Sequence, residues 1–319
     1  MLREYREDLI QKYRLLVLIV FILFMTLSSS CSNENDKKIV DLSKRAPVIS
    51  KADEEGKRSI RIAVGGMITP KEGFTYYKRF LDYIGEKTGM NVIFVDRENY
   101  GEINDLLERN QIDVAFVCGG PYVDGHSKFG MQLLAAPMAY GDTVYYSYIL
   151  APAGSDINDL NDLRGKSFAF TDPLSNTGKL VPTFMLAKLG ETPDSFFKKY
   201  FYTYAHDKSI KAVALGVVDG AAVDSLVWEY ANKTDPKFTS RTKIIWRSPP
   251  YGIPPVVTRK GLDKEIRDKI EDVFLSAHED LKGREILSGM MIERFVEVSD
   301  GSYDSIREMK TWIKKHQKD

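Results

Sequence analysis

Thr171-Asp172-Pro173-Leu174-Ser175-Asn176-Thr177-Gly178-Lys179-Leu180-Val181-Pro182-Thr183-Phe184 is the stretch on which the reading of this chain turns. Upstream, Lys166-Ser167-Phe168-Ala169-Phe170 alternates like a strand. Downstream, Phe184 to Leu189 is good helix material and Gly190 is a natural stop. Pro182 is tolerated only in a first helical turn, where its missing N–H has no partner to lose. The helix is therefore expected to open near Gly178, leaving the N–H groups around Thr177 to Val181 unpaired. With the helix dipole and the side chains of Ser175, Asn176 and Thr177, these donors predict a site for a small anion that needs no cationic side chain. Ser-Asn-Thr is also an ordinary N-cap sequence, which would make the loop purely structural. A nucleotide-binding P-loop is excluded, because Leu180 stands where Ser or Thr is required and Pro173 where the first glycine belongs.

Working outward, 319 residues leave room for about two domains, and the zero formal net charge suggests neither nucleic acid nor an acidic surface as a partner. Met1 to Arg14 is polar with a slight basic excess, and Leu15 to Leu27 is an apolar run too short to span a bilayer comfortably. Ser28-Ser29-Ser30-Cys31 follows. This resembles a bacterial lipoprotein signal, in which the cysteine, here Cys31, becomes the lipidated first residue. The usual Leu three places before the cysteine is displaced, since Leu27 is four before, and the acidic residues of the leader are atypical. An uncleaved signal anchor is the alternative. Residues 32–58 are polar and read as a flexible tether. Cys118 is the only other cysteine, so no internal disulfide is expected, and Cys118 reads as a small buried hydrophobe. An extracytoplasmic, membrane-tethered protein follows.

From Ser59 the chain alternates strands and helices, which predicts an α/β architecture. Ser59–Val64, Asn91–Val95, Ile112–Cys118, Met131–Pro137 and Tyr145–Pro152 read as strands. Helical spacing marks Phe74 to Ile84 and Ile103 to Leu107. Ligands in such sheets sit beyond the carboxyl ends of strands, nominating the loops Gly65–Pro70, Arg97–Tyr100 and Gly119–Tyr122. Ala153-Gly154-Ser155-Asp156 breaks the pattern and is expected to cross between lobes. Ser195–Tyr200 then reads as helix, Phe201–Ala205 as strand, and Ile210, Val213, Ala214 and Val217 as a helical stripe capped by Asp207, with His206 just outside it. Ala221–Ser225 is a strand ending in polar groups, and the extended segment Ser248-Pro249-Pro250-Tyr251-Gly252-Ile253-Pro254-Pro255 is the expected return crossing.

The ordered set Asn99-Tyr100, Asp113-Val114-Ala115, Tyr145-Tyr146-Ser147, Asp172 to Gly178, His206-Asp207, Val218 to Ser225 and Ser248-Pro249-Pro250, with Gly65-Gly66 and Pro70, resembles the solute-binding proteins of phosphonate/phosphite-type ABC transporters. The resemblance covers nearly all of the chain after residue 58. It implies a type II periplasmic-binding-protein fold, with one lobe from residues 59–152 and 250–319, a second from 153–249, and a ligand cleft between them. It further implies that Ser175, Asn176, Thr177 and Gly178 hold a phosphorus oxyanion (phosphonate, phosphite or phosphate-like). His206 would donate from the same lobe, Tyr100 and Tyr145 would close from the other, and Asp224 and Ser225 would lie nearby. An ABC permease is the implied partner and a monomer the implied state. Leu226 and Pro254 stand where binders of amino-alkyl phosphonates place carboxylates, which disfavours a zwitterionic ligand.

Each of these side chains also has a plainer reading: His206 as a cap, the tyrosines as strand-edge aromatics, Asp224 as a strand-end hydrogen-bonder. A His206 with an ordinary pKa would make affinity pH-sensitive. No cofactor is implied, and His126, His278 and His316 lack metal-ligand spacing. Two other classes compete. A hydrolase could use Ser175, His206 and Asp224, although no Gly-x-Ser-x-Gly elbow is present. A tethered sensor feeding a membrane signalling partner would need the same closing lobes.

Overall fold

The computed structural model describes residues 58–65 and 74–316. The signal segment with Cys31, the tether, Gly66 and Pro70 lie outside the described residues. The described chain folds into two α/β lobes, each on its own mixed sheet.

In the first lobe, β1 (Ser59–Val64) lies between β2 (Asn91–Val95) and β3 (Val114–Phe116), parallel to both. Next to β3 comes β12 (Val256–Thr258), then β4 (Gln132–Met138) and β13 (Arg294–Val296), each antiparallel to its neighbour. The helices α1 (Phe74–Thr88), α2 (Tyr100–Glu108) and α3 (Gly119–Phe129) connect the parallel strands or follow them. All three residues of β3 are buried, as expected of a strand covered on both faces. The second sheet runs β10 (Thr242–Arg247), β6 (Ser147–Pro152), β9 (Gly220–Asp224), β7 (Ser167–Phe170), β8 (Lys199–Tyr202). A two-stranded ribbon of β5 (Val144–Tyr145) and β11 (Tyr251–Gly252) lies at the crossing.

Several expectations need correction. Tyr145–Pro152 is not one strand of the first lobe: it breaks at Tyr146, and β6 pairs with β9 (Ser147 opposite Asp224) and with β10. The chain therefore changes sheets at Tyr146 and not at Ala153–Asp156. The physical reason is that Tyr148 and Leu150 are buried in one apolar cluster while Ile149 and Ala151 are buried in another. A strand buried on both faces needs a central place in a sheet, and the second sheet supplies it. The expected helix over Ser195–Tyr200 is a single turn, Pro193–Phe196, started early by a capping box between Thr192 and Ser195. Lys199 and Tyr200 are then drawn into β8 by parallel pairing with Ser167 and Phe168. The helix α6 (His206–Ala214) begins at His206 itself, with Ala205 at the N-cap in place of Asp207.

Candidate functional site

The Ser175 loop opens differently from the simple α-helix expected. Asn176–Leu180 form one π-helical turn that runs into α4 (Val181–Lys188), with Pro182 in the first turn. Ser175 is the N-cap, its Oγ accepting from the Gly178 N–H at 2.9 Å. The Leu180 N–H donates to Ser175 O and that of Val181 to Asn176 O. Three of the N–H groups expected to be free are therefore engaged; at the opening of the turn the Asn176 N–H faces the Cys118 thiol, and that of Thr177 has no turn behind it. Gly178 cannot be replaced here, because a Cβ would lie 2.5 Å from that of Thr171. Lys179 turns away from the cleft: its Nζ donates to Thr183 Oγ1 and lies 5.0 Å from the centre of the Phe170 ring.

Five helix starts meet in this cleft, and contacts among their first residues link them. At α2, Asn99 caps Glu102, and the Tyr100 N–H donates across the lobes to Asp172 Oδ2 at 3.2 Å. At α3, Cys118 is the N-cap residue but makes no side-chain cap. Its Sγ lies 3.5 Å from the Tyr145 hydroxyl, which in turn lies 3.1 Å from Asn176 Nδ2. The Ser175 turn is the third start and α6, also without a side-chain cap, the fourth. The fifth is α7 (Ser225–Thr234), capped by Asp224 Oδ1 on the Leu226 N–H at 2.7 Å. Helix N-termini carry partial positive charge, so five of them can favour an anion without a cation.

His206 is buried, and its Nδ1 accepts the Asp224 backbone N–H at 3.0 Å and lies 3.1 Å from Thr171 Oγ1. An accepting Nδ1 fixes the neutral tautomer with the proton on Nε2. Burial pushes this imidazole down to about 3, so the pH-sensitivity expected from an ordinary histidine does not arise here. Burial also raises the Asp224 carboxyl to about 7, against the opposing pull of the Leu226 and Val227 N–H groups. The hydroxyls of Tyr100 and Tyr145 are held well above their usual range, first by burial and then by the nearby Cys118 and by acids that include Asp224 in both cases. Both tyrosines are therefore neutral donors. Thr177 is wholly buried, and its Oγ1 has no hydrogen-bond partner; Asn176 Oδ1 is likewise unpartnered. A half-turn of the Asn176 amide exchanges its donor and acceptor ends, so this group can present either to a ligand.

The structure thus places Tyr145 against Asn176 and His206 against Asp224, with Tyr100 bonded to Asp172 and both tyrosines within electrostatic reach of Asp224, and with Ser175 and Gly178 shaping the turn beneath. Ser225 is turned to the crossing strand instead, exchanging hydrogen bonds with the Tyr146 backbone at 3.0 Å. The hydrolase arrangement is not formed: His206 meets the backbone of Asp224 and not its carboxylate, and Ser175 Oγ receives the Gly178 N–H. Three participants escaped the sequence reading. Cys118 is buried as expected but also stands in the cleft wall; its place just before Gly119, beyond the carboxyl end of β3, was the available signal. Asp172 bridges the lobes through Tyr100. Ser147 Oγ donates to Thr177 O at 2.7 Å, tying the crossing strand to the anion loop.

The sequence profile of the family described as "ABC transporter, phosphonate, periplasmic substrate-binding protein" matches residues 63–303. The chain is 29% identical over 202 residues to the phosphonates-binding periplasmic protein of Escherichia coli K12, covering 62% of this chain and 60% of that protein. It is 31% identical over 212 residues to the phosphate-import protein PhnD of Mycolicibacterium smegmatis, covering 62% and 65%. These matches therefore span less than two thirds of either relative. Among solved structures, a binding protein component of a Pseudomonas aeruginosa ABC phosphonate transporter superposes with a TM-score of 0.76 at 23% identity, covering 82% of this chain and 88% of that one. PhnD1 of Prochlorococcus marinus, solved with methylphosphonate, gives 0.73 at 19% identity, covering 81% and 99%. These two share the fold. With the profile spanning most of its length, the chain belongs to the periplasmic substrate-binding proteins of phosphonate ABC transporters.

Proposed function

We propose that this protein captures a small phosphorus oxyanion outside the cytoplasm and presents it to an ABC permease. The observation that carries this reading is the unpartnered, fully buried Thr177 hydroxyl at a meeting point of five helix starts. A buried donor without a partner is costly, and an oxyanion bound there would satisfy it. The anion docks on the Ser175 turn of the second lobe. The Thr177 hydroxyl and N–H and His206 Nε2–H donate to it, and Tyr100 and Tyr145 close over it from the first lobe. Leu226 is buried with the apolar core of the first lobe, which supports phosphite or a short alkyl phosphonate over an amino-alkyl one. The names of the relatives point to the same ligand class.

The test is calorimetric titration of the detergent-solubilised full chain with phosphite, methylphosphonate, aminoethylphosphonate, phosphate and sulfate. Micromolar or tighter binding of phosphite or methylphosphonate is expected, abolished by His206→Ala; silence across the panel would reject the reading. Lipidation at Cys31 is part of the proposal. Membrane-fraction labelling with a radioactive fatty acid should be lost in Cys31→Ser, and equal labelling of that variant would reject the anchor.

A further inference from the structure

We infer that the chain takes its anion together with one proton, held between the ligand and the Asp224 carboxyl group. This rests on the functional reading above and deepens it. Asp224 is 2% exposed and stands at the start of α7, facing the cleft that the other helix starts enclose. Among the described residues, the groups that feel its charge or bond to it are Tyr100 from α2, Cys118 before α3, Tyr145 from β5 and His206 from α6, with Ser147 opposite it on β6. None of them is a cation. His206 cannot become one without giving up its bond from the Asp224 N–H. Lys179 is committed to Thr183. Asp172, another acid of the cleft, has both oxygens engaged, Oδ1 by the Leu174 N–H and Oδ2 by the Tyr100 N–H, whereas the bonds to Asp224 both come from the first turn of its own helix.

An ionised carboxylate and an oxyanion cannot share a dry cleft with only neutral donors around them. A proton between them removes the conflict in either of two equivalent ways. The ligand can bring a P–OH that donates to the carboxylate, or the protonated carboxyl can donate to the oxyanion. The raised proton affinity of the buried carboxyl fits the second as well as the first. Asp224 thereby selects ligands by protonation state.

The test is titration of the full chain with methylphosphonate from about pH 6 to about pH 9, repeated in buffers of different ionisation heat to count protons. Wild type is expected to take up close to one proton at the alkaline end, with affinity falling about tenfold per pH unit there. Asp224→Asn and Asp224→Ser both keep an N-cap side chain for α7, so the helix start is retained. Both are expected to bind without proton uptake and with a flat alkaline profile. Wild-type binding with no proton uptake would overturn the inference while leaving the ligand class standing. The same slope and proton count in both variants as in wild type would also overturn it. No binding of any phosphorus oxyanion by wild type overturns both readings.

Discussion

At the scale of single residues, the cleft contains groups that cost stability in the absence of a ligand. Thr177→Val replaces an unpartnered buried hydroxyl by a methyl of similar shape, which is neutral or stabilising for the empty protein. The same change removes a donor to a charged ligand, worth about 1.5–3 kcal/mol, so affinity should fall at least tenfold while the melting temperature holds or rises. Paired calorimetry and thermal melts check this, and a variant that melts much lower but binds normally would contradict it. His206 gives a second prediction. Its folded pKa of about 3 lies below the ordinary value of 6.5, so the unfolded chain binds the extra proton first. The stability from this group is present above pH 6.5 and is lost as pH falls from there toward 3. His206→Gln should make acid denaturation shallower over that window in chemical melts. The sequence names His206 as a donor, but its Nδ1 partner is invisible there, because the β6–β9 register is what helps set the Asp224 N–H in place.

At the scale of elements, the start of α3 touches the Ser175 turn more closely than a side chain allows. A Cβ at Gly120 would lie 2.2 Å from the Leu174 carbonyl oxygen, across the cleft. Gly120→Ala should therefore fold but fail to close. Small-angle scattering should show no compaction on adding methylphosphonate, and affinity should drop; full compaction would refute the steric argument. Ser147 links another pair of elements, since it bonds Thr177 through its Oγ and Ser248 through its backbone. The Tyr146–Ser147 and Arg247–Ser248 crossings are thereby joined to the anion loop, and the Arg247 guanidinium lies over the Tyr146 ring at 3.6 Å. Helices and strands were readable from apolar spacing, as with Tyr77, Phe80, Leu81 and Ile84 on α1. The change of sheet at Tyr146 was not, because apolar alternation runs on through Tyr148 and Leu150 whichever sheet receives them.

At the scale of the whole molecule, the first lobe is locked at the far side of its sheet from the cleft loops. Asp113 accepts from Arg61 at 2.8 and 2.9 Å and from Arg259 at 2.9 Å, joining the ends of β1, β3 and β12. These bonds outweigh burial and hold its carboxyl below the ordinary range. Its contribution is present above that range and lost as pH falls through the lowered pKa. Asp113→Ala leaves two partly buried arginines without their partner and should cost about 3 kcal/mol in denaturant unfolding. Ligand affinity of the surviving folded fraction should be unchanged, since Asp113 lies outside the cleft; a selective loss of binding would contradict this placement. The second lobe meets the helix Asp304–His316 through Phe184 and Trp312, whose rings lie edge to face at 5.2 Å.

By itself the sequence determined the α/β alternation, the helix that opens at the Ser-Asn-Thr-Gly loop, and the small hydroxyl and amide residues offered there. These follow from local physics: apolar period, the tolerance of proline in a first turn, and the orphan donors of a helix start. Tertiary structure decided which donors stay free and which are taken up by capping. It also decided that His206 is a neutral group accepting at Nδ1, that Cys118 and Asp172 belong to the cleft, and that Asp224 faces it with no counter-charge among the described residues. Each of these depends on which strands become neighbours and how deeply a group is desolvated. Neither is written in the spacing of residues along one segment.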